Sequence, residues 1–129
     1  MALTKLQPDR PRRMSPRWPD TLPAAETLHA AYGAEADELT IRFPNMPNRD
    51  IVVLWLETPP IEYAGLMVHE QTGMVVGVQI DYLTGYTQDI HPSWRAANEP
   101  NPHPAISASI VQDVRTLFDR YGISVPEPG

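Results

Sequence analysis

The chain has 129 residues, 42% hydrophobic and 20% charged, which is enough for one domain with a core and too little for two ordinary domains. It contains no cysteine, and this excludes disulfides, thiol nucleophiles and cysteine-ligated zinc or iron–sulfur sites. The net charge is −6 at pH 7, but five of the ten basic residues lie in the first seventeen positions. The remaining, acidic part of the chain is a poor surface for a nucleic-acid backbone.

The amino-terminal segment, residues 1–19, is basic and carries four prolines with almost no periodic apolar residues. Such a segment buries too little surface to offset its ordering entropy, so we expect a flexible or extended arm. Residues 20–129 are predicted to form a single α+β domain. There is no run of about 18 apolar residues, and no apolar segment follows the basic start. We therefore expect neither a membrane span nor a secretory signal, and a cytoplasmic protein.

Four segments alternate or run apolar in ways typical of strands. Before these four segments, residues 23–32 are predicted to form a short helix that ends at Gly33. Residues 37–43 then alternate strictly, residues 51–56 are apolar on both faces, and residues 61–69 and 74–82 flank a short turn that Gly73 closes. We predict a four-stranded antiparallel meander in which sequence neighbours pair, with residues 51–56 either central or covered on both sides.

The carboxy-terminal part of the domain predicts a loop and a helix. Residues 84–104 are proline-rich and irregular, as expected for a long crossing. Apolar residues then recur at three- and four-residue spacing, between a start at Pro104 and an end at Gly122: Ile106, Ile110, Val111, Val114, Leu117, Phe118 and Tyr121. One amphipathic helix covers one face of a sheet. We expect the other face to be covered by the short first helix and by a second copy, in a homodimer.

Two segments resemble a known family. They are A-D-E-L-T-I-R-F at residues 36–43 and G-M-V-V-G-V-Q-I at residues 73–80, and together they are similar to the bacterial family catalogued as domain of unknown function 2283. Members pair an A-D-x-L-x-I-x-F strand with a D-x-x-G-x-x-V-G-I-E-I hairpin, and Gln79 stands here where the hairpin favours glutamate. The resemblance covers about residues 36–82. It implies a small antiparallel sheet and no activity, because the family has no established one.

Candidate catalytic or metal-binding residues are His69, Asp81, Asp89 and His91. Imidazole and carboxylate are the ligand and proton-transfer groups that remain when cysteine is absent. Their spacing fixes no metal geometry, since neither an H-E-x-x-H helix nor an H-x-H strand pair occurs. We predict no metal and no cofactor. A small enzyme or metal-binding protein with a site at the 84–104 loop stays as the alternative.

Candidate binding residues lie in that loop and in the arm. Trp94 and Arg95 either line a site or belong to a loop that the buried indole holds on the sheet, and we favour the second interpretation. Arg12, Arg13, Arg17 and Trp18 could contact phosphate and stack a base, or dock on a protein partner. We expect a self-associating interaction or scaffold module without catalytic activity, with nucleic-acid contact through the arm as a further alternative.

Overall fold

The computed structural model describes residues 16–44, 49–55, 63–85 and 92–121, and of Tyr121 the backbone alone. It is an α+β structure in which one antiparallel sheet packs against one main helix. The strands and helix are β1 His29–Gly33, β2 Glu38–Arg42, β3 Ile51–Trp55, β4 Ala64–His69, β5 Val75–Asp81 and α1 Pro104–Tyr121. Two short 3₁₀ helices, Ala25–Thr27 and Pro92–Ala97, lie in the connections. This confirms the predicted fold class.

The five strands are arranged in the order β1-β2-β5-β4-β3, and every pair is antiparallel. The β4–β5 hairpin is the one that the sequence predicts, with Gly73 at φ 78° in its turn. An L side chain rarely adopts that conformation, which is why a glycine closes the loop. A bulge between Met67 and Val68 interrupts the β4–β5 register.

The core lies between α1 and one face of the sheet. Alternate residues of the strands meet the apolar stripe of α1 there, so the predicted helix is confirmed together with its buried face from Ile106 to Phe118. The Tyr121 side chain and Gly122, the predicted end of the helix, lie outside the described residues. The 3₁₀ helix Pro92–Ala97 contributes Trp94 and Ala97 to the same core. The largest fully buried side chains are Trp94, Leu39, Ile41, Leu66, Ile80, Leu83, Ile110, Val68, Val75, Val76 and Val78.

The helix predicted over residues 23–32 is wrong. Only Ala25–Thr27 form a helical turn, of 3₁₀ type, and His29–Gly33 is the edge strand β1. Ala30 and Tyr32 pack against the core, and the alternate positions of β1 are exposed. Pairing along the whole of β1 satisfies the backbone groups that face β2, and this tertiary contact overrides the helical propensity of this alanine-containing segment.

The predicted four-stranded meander is also corrected. The sheet has a fifth strand, β1, and β5 separates β2 from β4, so β2 and β3 are not neighbours. β3 is the strand that we expected to be central or covered on both sides, yet it lies at the edge of the sheet. Four of its five residues are only half-buried.

Residues 16–19, which fall in the predicted arm, lie against the domain. Arg17 forms a parallel bridge at the start of β5: its N–H donates to the Gly73 carbonyl (2.8 Å), and the Val75 N–H donates to the Arg17 carbonyl (2.9 Å). The Arg17 guanidinium also donates to the Thr72 carbonyl at 3.0 Å. This short segment continues the sheet beside β5 beyond the point where β2 ends. Residues 1–15 lie outside the described residues.

Candidate functional site

The face of the sheet opposite α1, called the second face from here on, changes character from one edge to the other. Ile51, Val53 and Trp55 of β3 and Met67 of β4 point to it, because the residues that alternate with them belong to the core. Among the described residues no helix packs on this face, since α1 contacts the core face. The β3–β4 side of the second face is therefore apolar except for His69, which lies opposite Ile51.

A glycine gives this apolar surface its shape. A Cβ at Gly65 would lie 2.6 Å from the Val53 Cγ1 and 2.9 Å from the Trp55 Cε3, so the two β3 side chains lie directly over the backbone of β4. Trp55 is opposite Gly65 in the register, and Val53 is opposite Met67. The indole of Trp55 is thus held flat against the sheet and stays half-buried.

The β2–β5 side of the second face is polar, with an acidic pair at one end and Arg42 at the other. Glu38 and Asp81 are directly opposite each other, and the Gln79 amide donates to the Glu38 Oε2 (2.7 Å) and to the Asp81 Oδ1 (3.3 Å). Burial raises the pKa of Glu38 above its ordinary value, and the negative charge of Asp81 raises it further. The Gln79 amide partly compensates the two negative charges. The group is thus a pair of carboxylates that share one amide as hydrogen-bond donor.

A second carboxylate group lies at the end of the β1–β2 turn. Asp37 adopts φ 54° and accepts hydrogen bonds from the Tyr32 hydroxyl (2.6 Å), from the Thr84 N–H (2.9 Å) and hydroxyl (3.0 Å), and from the Gly85 N–H (3.1 Å). Burial alone would raise the pKa of Asp37, but these donors outweigh it and hold the pKa below its ordinary value. Because the carboxylate is saturated with partners, its role is to fasten residues 83–85 to the β1–β2 turn.

Of the predicted catalytic residues, the structure describes His69 and Asp81 and does not bring these two together. His91 and Asp89 lie outside the described residues. Asp81 ends β5 and belongs to the acidic pair, whereas His69 ends β4, with its Nδ1 3.1 Å from the Thr72 Oγ1. Since Ala64 is opposite Ile80, the length of β4, roughly 17 Å, separates Asp81 from His69. No three His, Asp or Glu side chains within the described ranges are grouped as a metal-binding set.

The aromatic candidate of the loop is part of the core. Trp94 is 1% exposed, its indole N–H donates to the Asp113 Oδ2 at 2.8 Å, and its ring meets Tyr63 edge-on at 6.2 Å. Arg95, next to it, is exposed. The indole therefore holds the 3₁₀ helix Pro92–Ala97 onto α1 and presents no ring surface to a ligand.

Of the four candidate binding residues in the arm, two lie outside the described residues and two contact the domain. Arg12 and Arg13 lie outside the described residues, and Arg17 makes the bridge to β5 described above. The Trp18 ring packs against Phe43, with centroids 6.4 Å apart, and the Arg115 guanidinium lies over it at 5.5 Å. This half-buried ring has an intramolecular cation–π partner, so stacking on a nucleic-acid base would have to displace Arg115.

Sequence reasoning did not select Asp37, Glu38 or Tyr82 as site residues, and it noted Gln79 only as a departure from the family's hairpin pattern. Tyr82 follows β5 at φ 58° and is 60% exposed, an unusual backbone conformation for a bulky residue. The alternation of residues 37–43 did place Glu38 on the polar face of its strand. Nothing local to the sequence pairs it with Asp81, because that contact depends on β5 lying beside β2.

Comparison with known proteins assigns the chain to no family. No model of a protein family matches the chain, and no match is found among curated proteins or solved structures. The resemblance of residues 36–82 to domain of unknown function 2283 thus stays a prediction. Over the described residues, no helix has the length and apolar character needed to cross a membrane.

Proposed function

We propose that this protein is a small, non-enzymatic interaction module that self-associates through its sheet and uses its basic arm to engage a protein partner. The observation that carries the proposal is the composition of β3. Ile51–Trp55 is a sheet edge with no charged residue and no proline, and it is apolar on both faces. Edge strands usually carry charges, prolines or bulges that prevent pairing with another chain, and β3 has none of these.

The apolar part of the second face supports the same function. Ile51, Val53 and Trp55 form it and are half-buried, whereas Met67 beside them is buried, and Trp55 lies over Gly65. The acidic pair of Glu38 and Asp81 lies on the other side of the sheet centre and leaves this surface uncharged. An apolar surface next to a sheet edge that has no partner strand among the described residues is typical of protein–protein contacts.

The enzyme alternative has less support among the described residues. Asp81 and His69 are at opposite ends of the sheet, and the acidic pair has an amide as its shared partner. The alternative depends on Asp89 and His91, both outside the described residues. Metal analysis of the untagged protein with a His91→Ala variant tests it. A stoichiometric metal that is lost with that variant would replace our proposal.

The solution mass of the full chain tests the proposal. We expect light scattering over a concentration series to give the mass of a dimer up to tens of micromolar protein. An Arg12→Gln, Arg13→Gln double variant should keep that mass, because the proposal reserves the arm for another protein. A monomeric mass at every concentration contradicts self-association, and dissociation of the arm variant contradicts the assignment of the dimer contact to the sheet.

Nucleic-acid binding through the basic arm is the second alternative function. Binding of a labelled oligonucleotide that falls steeply with salt and is lost in the same double variant would identify it. We expect no such binding. A cytoplasmic location remains part of the proposal and is checked by fractionation of cells that express the protein.

A further inference from the structure

One side of the β3 backbone has no partner strand among the described residues. The Asp50 carbonyl accepts a hydrogen bond from the Glu70 N–H at 2.8 Å, so this carbonyl faces β4. Successive residues of a strand point their backbone groups to opposite sides. The N–H and C=O groups of Ile51, Val53 and Trp55 therefore point out of the sheet, three donors and three acceptors in a row.

We propose that this row pairs with the same row of a second copy, antiparallel, about a two-fold axis at Val53. In this register Val53 lies opposite Val53 of the second copy, Ile51 lies opposite Trp55, and Val52 lies opposite Leu54. Each copy supplies the donors for the acceptors of the other, and the two sheets become one continuous sheet of ten strands. The inference rests on the proposed function and assigns the contact through which it operates.

Side-chain chemistry matches this arrangement on both faces. On the second face an aromatic residue, Trp55, meets a β-branched one, Ile51, and such cross-strand pairs stabilise antiparallel sheets. On the core face Val52, which is half-buried against the core, meets Leu54. A strand that is apolar on both faces finds in its own copy a partner that is apolar on both faces.

Charge also favours a second copy over another peptide. Arg49 and Asp50 lie directly before β3 with side chains 84% and 45% exposed. About the two-fold axis the two starts lie at opposite ends of the shared ladder, roughly 20 Å apart. That is beyond the Debye length of about 8 Å at physiological salt, so like charges do not oppose the pairing. A parallel pairing would set the two Asp50 side chains side by side, and within Ile51–Trp55 there is no charged residue to attract a charged peptide.

Variants at Val53 test the pairing in the full chain. Val53→Pro removes an outward N–H without removing a donor from the β3–β4 ladder, since edge strands accept proline on the free side. Val53→Thr is the matched control, because it keeps the N–H and the β-branched shape. We expect Val53→Pro to weaken the dimer at least tenfold with an unchanged circular-dichroism spectrum, and Val53→Thr to remain dimeric.

A cysteine reports the register in protein of near-native sequence. The chain has no other cysteine, so Val53→Cys gives a single thiol on the two-fold axis. Directly opposite residues in a hydrogen-bonded pair have Cα atoms about 5.5 Å apart, within disulfide range. We expect a covalent dimer on mild oxidation. Thr27→Cys, at an exposed position outside the sheet, should stay monomeric on denaturing gels.

The outcomes separate the inference from the function that it rests on. A dimeric wild type that gives no Val53→Cys dimer, or that keeps its dissociation constant in Val53→Pro, overturns the β3 pairing and leaves self-association in place. A monomeric wild type overturns both. If Val53→Pro fails to fold, the Val53→Cys result alone decides.

Discussion

The close approach of β2 to β5 at Gly77 gives the sharpest test of the fold that positions the second face. A Cβ at Gly77 would lie 2.5 Å from the Ile41 carbonyl oxygen, 3.1 Å from the Arg42 Cα and 3.2 Å from the Met67 Sδ. The first two atoms are backbone, which cannot rotate away as a side chain can. Gly77→Ala therefore forces β2 away from β5 at the pair that Gly77 forms with Arg42.

The size of the effect follows from what must move. Overpacking of a closely packed site costs about 1–3 kcal/mol. Each ladder hydrogen bond lost as the strands separate adds about 1 kcal/mol. We expect Gly77→Ala to lower the free energy of unfolding by about 3 kcal/mol, or the melting temperature by roughly 10 °C for a domain of this size.

Urea denaturation at one fixed protein concentration measures this loss, since self-association makes stability depend on concentration. Gly33→Ala is the matched control, because nothing lies within 4 Å of its Cβ. That variant should be neutral or more stable by up to about 1 kcal/mol, as the unfolded chain loses conformational freedom. Equal stabilities of Gly77→Ala and Gly33→Ala would refute the spacing of β2 and β5 described here.

Three further predictions concern polar and aromatic contacts. Asp37→Asn should lower stability at pH 7 by about 1–2 kcal/mol, whereas Asp50→Asn, at a similar φ but with an exposed side chain, should be neutral. Because the folded pKa of Asp37 lies below its ordinary value of 3.8, the wild type keeps this stability above that pH, and the deficit of Asp37→Asn should close in more acidic urea melts. Trp94→Phe should cost about 1–2 kcal/mol through the lost bond to Asp113, measured by thermal melting. Trp18→Ala should lower the free energy of unfolding by about 1–2 kcal/mol in the same assay, because buried apolar surface is lost, and should leave the dimer mass unchanged.

Distinct results would contradict each of these. An Asp37→Asn deficit that is constant from pH 7 to pH 3 would show that the carboxylate charge is not what the donors stabilise. Wild-type stability in Trp94→Phe would mean that the indole N–H contributes nothing to holding the loop. A Trp18→Ala protein that melts like the wild type would place residues 16–19 away from the core.

Local patterns in the sequence predicted the elements whose packing is one-sided. The three- and four-residue spacing from Ile106 to Phe118 gave α1, because one stripe of that helix faces the core. Strict alternation gave β2, and the glycine turn gave the β4–β5 hairpin, where Gly73 has the positive φ that its loop requires. In these segments the local preference and the tertiary contacts agree.

Other features depend on contacts between distant residues and could not be predicted. β1 is a strand because β2 pairs with it, although its alanines favour a helix. β3 lies at the edge because β5 takes the position beside β2, and composition alone made β3 look central. The acidic pair of the second face also depends on the position of β5 beside β2, since Glu38 and Asp81 meet only across the β2–β5 ladder.

The strand order also has a consequence for synthesis of the protein. β1 and β2 are made first, but the β5 residue opposite Glu38 is Asp81, 43 positions later. At about 5–20 residues per second, the ribosome takes roughly 2 to 9 s to deliver it. During that interval β2 is an open edge in the nascent chain. Glu38 and Arg42, near its two ends, are charges that discourage premature pairing with a neighbouring chain until β5 inserts.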